Sequence, residues 1–107
     1  MKFIIHTKKL LNKAIALESE LGQSCYIPGR DTDQTQSGEK ILHDNLEGML
    51  LCDDDVHVIW DGESFGTMFD MGMAYALGKV IYPHSLTGGQ RWRDFFRQNI
   101  GGIITHK

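Results

Sequence analysis

A single carboxylate on an otherwise apolar helix is the residue of this chain best suited to chemistry. Residues 60–74 predict a buried strand, a polar loop and a helix on which Asp70 is the only charged residue. Ser64 and Gly66 stand where that helix begins, and the first N–H groups of a helix have no partner within it. Because open α/β sheets bind ligands beyond the carboxyl ends of their strands, the loop predicts a cradle for a small polar ligand with a sugar or phosphate.

Asp70 also has a structural interpretation. Thr67 and Asp70 have the spacing of a capping box, and an acid in the first turn interacts favourably with the helix dipole. Such a cap does not require the two nearby glycines, Gly66 and Gly72. Both would let a ligand approach the backbone, which favours a binding role for this segment.

Three further polar residues follow predicted strands and are expected at the same rim. Arg30 is able to bind a phosphate or carboxylate through two N–H groups, or to pair with the aspartates of its own loop. Asp61 is suited to accept hydrogen bonds from ribose hydroxyls, or to cap its own turn. His6 either contacts the ligand or is a histidine whose hydrogen bonds are satisfied within the domain.

Alternating strands and helices position these residues. The predicted strands cover residues 2–6, 24–27, 56–60 and 79–82, and the predicted helices cover 8–21, 40–51 and 66–77, with Gly22 and Gly78 ending the first and third helices. A short helix over 91–98 and a fifth strand over 100–105 complete the pattern. This order predicts a small flavodoxin-like or Rossmann-like three-layer α/β sandwich with a mainly parallel sheet of four or five strands.

Composition narrows the class of protein. At 107 residues the chain is expected to form one domain, and its net charge of −3 argues against a nucleic-acid partner. Cys25 and Cys52 are each flanked by apolar residues, which predicts reduced core thiols and a cytoplasmic location. We expect no leader, membrane span, metal or cofactor, because no segment has the required apolar length, ligand spacing or phosphate-binding fingerprint.

The motifs resemble those of the nucleoside 2-deoxyribosyltransferase superfamily, which includes the 2'-deoxynucleoside 5'-monophosphate N-glycosidases. Ser64-x-Gly66 and the segment 70–74, Asp-Met-Gly-Met-Ala, match the family's loop and helix start in order and spacing. The stretch that contains Asp44 and Asn45 resembles a family segment whose acid helps to protonate the leaving base. The turn Pro-Gly-Arg-Asp-Thr-Asp-Gln at 28–34 is similar to that of small phage and bacterial proteins related to this family.

The resemblance implies an activity and roles for these residues. Asp70 would occupy the position of the nucleophile that attacks C1' of deoxyribose, Ser64 would bind the sugar or its 5'-phosphate, and Asn45 or Asp44 would assist the leaving base. The expected function is deoxyribosyl transfer or N-glycoside hydrolysis on a nucleoside or nucleotide, in a homodimer or higher homo-oligomer. Asp70 is one methylene shorter than the family's glutamate, and Asn45 is not a carboxylic acid. These departures favour the alternative to an enzyme, a non-catalytic nucleotide or nucleotide-sugar binding protein. A third and weaker possibility is a scaffold that dimerises through its Met-rich third helix.

Overall fold

A four-stranded parallel sheet forms the centre of the computed structural model, which describes residues 1–84. The strands are β1 (Lys2–His6), β2 (Cys25–Tyr26), β3 (Asp55–Ile59) and β4 (Val80–Pro83). They lie in the order β2-β1-β3-β4, and every adjacent pair is parallel. This is the predicted flavodoxin-like α/β arrangement. The helix and strand predicted over 91–98 and 100–105 lie outside the described residues.

The helices follow the predicted order, with differences at their starts. A 3₁₀ turn (Lys8–Leu10) leads into α1 (Leu11–Leu21), and α2 (Pro28–Asp31), α3 (Gly38–Leu51) and α4 (Phe65–Ala76) follow. The short helix α2 lies in a segment expected to be turn and loop, because Pro28 at its first position already has the φ angle of a helix. Helices α3 and α4 begin earlier than predicted because Ser37 and Ser64 accept hydrogen bonds as their N-caps.

The helices cover both faces of the sheet and make the fold three-layered. Successive strand residues point to opposite faces. Ile4 and Ile59 pack with Ala14 and Leu17 of α1 on one face. On the other face, a larger cluster joins the sheet to α3 and α4, with these buried residues among its members: Phe3, Ile5, Met49, Val58, Trp60, Met71 and Ala74. The predicted sandwich is confirmed for the described part of the chain.

Two helix ends also agree with the sequence. Gly22 after α1 and Gly78 after α4 have φ angles of 68° and 74°, and only glycine adopts this region at little cost. The two cysteines are free and buried. Within residues 1–84, none of the helices has the length and apolar character needed to cross a bilayer.

Candidate functional site

A cleft of about 350 Å³ opens at the carboxyl ends of β1 and β3. The chain crosses from β1 to β2 in one direction along the sheet and then returns past β1 to form β3. The cleft therefore lies at the switch point of the strand order, where sheets of this class bind ligands. His6 at the end of β1 pairs in register with Ile59 at the end of β3. The cleft volume lies within the roughly 300–1,000 Å³ range of small-molecule sites.

Five of the predicted site residues line this cleft, and three do not. The five come from β1, α3 and the start of α4, and they are His6, Asn45, Ser64, Gly66 and Asp70. Arg30, Asp44 and Asp61 are not among its lining residues. The fold thus brings together residues that are 64 positions apart in the chain, and it separates Asn45 from its sequence neighbour.

Asp70 is a buried acid without a structural partner for one of its oxygens. The residue is 9% exposed, and no side chain or backbone group among the described residues hydrogen-bonds to its Oδ1. Burial raises the pKa of this carboxyl from 3.8 to about 6. A buried carboxylate oxygen without a partner is costly for the fold, which makes Asp70 the candidate functional group of this cleft.

The capping-box interpretation of Asp70 is wrong. Helix α4 begins at Phe65, and its N-cap is Ser64 rather than Thr67. Asp70 therefore lies in the second turn of the helix, too far along for its carboxylate to reach the N-cap backbone. Asp70 thus does not have the capping role in α4 that its spacing suggested.

The start of α4 supplies donors to the cleft. Ser64 Oγ accepts from the Thr67 backbone N–H at 3.4 Å and from the Thr67 hydroxyl at 3.2 Å. Both bonds use lone pairs of Ser64 Oγ, so its own hydroxyl hydrogen is left to donate to a ligand. A Cβ built at Gly66 would meet no atom closer than Ser64 Oγ at 4.0 Å. Packing within the protein thus does not require glycine there, and its missing side chain leaves room in the cleft.

The second glycine of the motif does not contribute. Gly72 is exposed and does not line the cleft, and a Cβ at this position would meet nothing within 4 Å. Two positions after Asp70, it lies on the outer side of α4. The expectation that Gly72 gives a ligand access to the backbone is wrong.

Asp61 organises the loop that precedes α4. Its Oδ1 accepts from the backbone N–H groups of Glu63 and Ser64, each at 2.9 Å, and its Oδ2 lies 3.3 Å from Lys9 Nζ. Burial acts to raise the pKa of Asp61, but these hydrogen bonds outweigh it and hold the pKa below its ordinary value. Of the two roles considered for this residue, the structure shows the turn cap.

A pair of threonines connects that loop to β1. The Thr7 and Thr67 hydroxyl oxygens lie 3.2 Å apart, and the Asp61 backbone N–H donates to Thr7 Oγ1 at 3.2 Å. Both threonines are buried. They were missed as site residues because a hydroxyl that supports a loop across 60 positions has no local sequence signal.

His6 forms part of the wall with both ring nitrogens engaged. The Gly29 backbone N–H donates to Nε2 at 2.9 Å, and Nδ1 lies 3.0 Å from the Thr7 carbonyl oxygen. Because Nε2 accepts, the neutral ring carries its hydrogen on Nδ1 and donates it to that carbonyl. Burial lowers the pKa of His6, which favours this neutral form. The structure thus shows the locally satisfied histidine that was considered beside the ligand contact.

Arg30 is committed to a network away from the cleft. Its guanidinium donates to both carboxylate oxygens of Glu18, to Asp31 and to the Cys25 carbonyl, at 2.7–3.0 Å. Asp44 is likewise paired, with Lys40 one turn earlier on α3 at 2.8 Å. Neither side chain is presented to the cleft, so the aspartate-paired alternative describes Arg30 better than the anion-binding one.

Asn45 enters the cleft from α3 with its oxygen already bonded. The Thr32 hydroxyl donates to Asn45 Oδ1 at 2.8 Å, and Thr32 is hydrogen-bonded to the Tyr26 hydroxyl in turn. Asn45 is 4% exposed. The remaining lining includes three polar side chains that were not singled out as site residues, Lys8, Gln34 and Thr67.

Comparisons with protein-family models, with curated proteins and with solved structures give no match. The family resemblance therefore rests on the sequence motifs alone. What the described geometry offers chemically is a buried carboxylate, a hydroxyl donor at a helix N-terminus, an amide, and a partly apolar wall.

Proposed function

We propose that this protein acts on the N-glycosidic bond of a 2'-deoxynucleoside or its 5'-monophosphate, with Asp70 as the group that acts at C1'. The observation that carries the proposal is Asp70 itself, whose Oδ1 has no partner among the described residues and which lines a ligand-sized cleft at the switch point of the sheet. The order and spacing of Ser64, Gly66 and Asp70 add the family resemblance to this observation.

The position of Asp70 suits a reaction centre that becomes positively charged. With a pKa of about 6, Asp70 is mostly ionised at neutral pH. A carboxylate in a poorly solvated cleft interacts more strongly with a positive centre than it would in water. In the proposed reaction, Asp70 attacks C1', the C1'–N bond breaks with its electron pair leaving on the base, and water then hydrolyses the glycosyl ester.

Ser64 and the first turn of α4 supply the binding contacts. The free hydroxyl hydrogen of Ser64 is available to a sugar oxygen or a 5'-phosphate oxygen, and helix N-termini favour anions. Lys8 lines the same cleft and adds a positive charge. These contacts favour a monophosphate over a free nucleoside as the ligand.

The test is release of free base. Purified protein is incubated with a panel of deoxynucleosides and their 5'-monophosphates, and free base is separated by chromatography, with a second base added to detect transfer. The proposal predicts release or exchange by the wild type and its loss in Asp70→Asn. A wild type that forms no free or exchanged base contradicts the catalytic proposal.

A second candidate, nucleotide binding without catalysis, is favoured by a specific observation. Asp70 is the only carboxylate that lines the cleft from within residues 1–84, and Asp44 is paired with Lys40 instead. Enzymes that cleave a glycosidic bond usually use two carboxylates. Thermal stabilisation by a nucleotide without product would support this candidate over the first.

We also propose that the protein self-associates through α4 and resides in the cytoplasm. The outer face of α4 carries three exposed large side chains, Phe65, Phe69 and Tyr75, which are 83%, 56% and 58% exposed. An isologous contact between two such faces would bury them. The free, buried thiols of Cys25 and Cys52 are consistent with a reducing compartment.

A further inference from the structure

Two histidines outside the cleft share a hydrogen bond on the face of the sheet that α1 covers. His57 on β3 lies two residues before Ile59, which packs with α1, and alternate residues of a strand share a face. Nδ1 of His57 and Nε2 of His84 are 2.7 Å apart. His57 is 8% exposed, and neither histidine lines the cleft. The pair is therefore a titratable cluster that the proposed reaction does not use.

This pair connects the end of β4 to β3. Within residues 1–84, β4 is an edge strand that pairs with β3. Beyond its last paired position, Pro83, the His84 backbone N–H donates to the Val58 carbonyl at 2.8 Å. The His57 ring also stacks on its cross-strand partner Tyr82, with ring centroids 5.3 Å apart. The bond between the two histidines thus adds a side-chain contact to the backbone bond at the carboxyl end of β4.

The number of protons on the two rings determines whether this bond forms. When both rings are neutral, the N–H of one donates to the bare nitrogen of the other. One added proton preserves the bond, because a charged ring still donates to a neutral one and such charge-assisted bonds are strong. A second proton removes the acceptor and places two positive rings with their centroids 5.0 Å apart. The pair therefore tolerates one proton and not two.

The surroundings of His57 favour its neutral form. Burial, and next the adjacent His84, lower the pKa of His57 to about 4. Lys2 on β1 lowers this pKa further, whereas Asp53 and Asp55 raise it. Both aspartates are themselves paired with Lys2, at 3.2 and 3.0 Å. Their charges are therefore partly offset at His57, and the effect of burial dominates.

His84 lies between charges of opposite sign on α1. It lines a cavity of about 230 Å³ together with Lys13 and Glu20. Burial lowers the pKa of His84, and Glu20 acts in the opposite direction. Both rings of the pair are therefore neutral at pH 7, where the bond between them is intact.

We propose that the His57–His84 pair is an acid-sensitive latch, which holds the carboxyl end of β4 against β3 while the pair carries at most one proton and releases it when both rings are protonated. The inference goes beyond the proposed function, because it assigns a role to a pair that lies outside the cleft. Release would also break the bond between the His84 N–H and the Val58 carbonyl, so that backbone N–H reports on the state of the latch.

Amide hydrogen exchange of His84 tests the latch. Protection factors are measured by NMR in ¹⁵N-labelled protein from pH 7 to pH 4, with the amides of the central strand β1 as the reference for global unfolding. Because release takes up two protons, the protection of His84 should fall by more than tenfold, and up to roughly a hundredfold, per pH unit below pH 6. The β1 amides should remain more strongly protected.

Two histidine variants separate the pair from general acid effects. His84→Gln retains a side chain that is able to hydrogen-bond to His57 but leaves one ring to titrate, so protection of the residue-84 amide should fall by tenfold per pH unit at most. His43→Gln is the matched control, because His43 on α3 has a side chain that is 58% exposed, and it should keep the steep wild-type dependence. A wild-type dependence of tenfold or less per pH unit overturns the latch, as does an equally steep one in His84→Gln.

The ring nitrogens give a second readout that needs no variant. Long-range ¹H–¹⁵N spectra of the wild type should show the two rings taking up protons in separate steps, with the second step at the pH where the His84 amide loses protection. Two rings that titrate together near pH 6.5 while this amide stays protected overturn the latch. None of these outcomes bears on base release at pH 7, so the proposed function is tested separately.

Discussion

The Gly29 backbone N–H donates to Nε2 of His6 across 2.9 Å, which joins the start of α2 to the end of β1 at the wall of the cleft. The contact depends on the missing side chain of Gly29. A Cβ there would lie 2.7 Å from His6 Cε1 and 3.0 Å from Leu11 Cδ1. This close approach fixes one side of the cleft before any ligand arrives.

We therefore expect Gly29→Ala to lower the free energy of unfolding by about 1–3 kcal/mol, the usual cost of overpacking. Gly38→Ala is the matched control, because a Cβ at that helix start meets nothing within 4 Å. The control should be neutral or more stable by up to about 1 kcal/mol. Urea unfolding measures both, and equal effects of the two substitutions would contradict the close contact at His6.

Replacing Asp70 should stabilise the protein in a pH-dependent way. Its pKa is about 6 in the folded state against 3.8 as the ordinary value, so the folded protein binds the proton more tightly than the unfolded chain. Ionisation therefore destabilises the fold, fully above pH 6 and not at all below about 3.8. The free energy of unfolding of Asp70→Asn should exceed that of the wild type by roughly 2–3 kcal/mol at pH 7.

The difference should shrink as the pH falls through 6 towards 4, where wild type carries a neutral carboxyl. Urea unfolding of both proteins is measured across this pH range. The histidines titrate in both proteins, so their contribution cancels in the difference between the two free energies of unfolding. A stability difference that is constant with pH, or a less stable Asp70→Asn at pH 7, is incompatible with a buried unpartnered carboxylate.

Arg30 should matter for stability and not for ligand affinity. Its planar guanidinium bonds both oxygens of Glu18, and a lysine cannot reproduce that geometry. Because Arg30 is about one third exposed, solvent screening limits the expected loss in Arg30→Lys to about 1 kcal/mol. Titration calorimetry with a 2'-deoxynucleoside 5'-monophosphate that the wild type binds should show unchanged affinity, and a large loss of affinity would restore Arg30 as an anion-binding residue.

The stability effect of Arg30 also has a defined pH range. The hydrogen bonds from Arg30, with that from the Cys25 backbone, lower the pKa of Glu18 from 4.5 to about 2. This stabilisation is present above pH 4.5 and is lost as the pH falls towards 2. The difference between wild type and Arg30→Lys should therefore decrease below pH 4.5 in thermal unfolding measurements.

The outer face of α4 should control self-association. Phe69→Ser removes one exposed aromatic ring from this face without touching the core or the cleft lining. Sedimentation equilibrium should show a dimer for wild type and a weaker dimer or monomer for the variant. Ser19→Ala on α1 provides a control on another surface. A monomeric wild type at the concentrations tested would contradict association through α4.

The sheet and the place of the cleft were predictable because they depend on local patterns. Short apolar runs separated by amphipathic helices specify a parallel α/β sandwich, and the order of elements places His6, Ser64 and Asp70 near one rim. Gly22 and Gly78 ended their helices as expected because a positive φ has a strong sequence signature.

The partners of individual side chains were not predictable in the same way. From the sequence, Arg30 was able to bind either a ligand or nearby acids. Its main partner, Glu18 on α1, comes within reach only when β2 pairs with β1. The hydrogen bonds that join Tyr26, Thr32 and Asn45 depend on the packing of α3 against the sheet. The capping box of Thr67 and Asp70 was expected because Ser64 and Thr67 both fit the N-cap preference, and the structure has Ser64 as the N-cap.

Base release by wild type, Asp70→Asn and Asp54→Asn, followed at pH 7 on the deoxynucleotide panel, tests the central claim most directly. Asp54 is a matched aspartate control because it precedes β3, at the end of the sheet opposite to the cleft, with its side chain 88% exposed. We predict that Asp54→Asn keeps the wild-type rate and that Asp70→Asn loses roughly a thousandfold or more, as expected for a nucleophile. Equal rates for Asp70→Asn and wild type would contradict the assignment of Asp70 to the reaction centre.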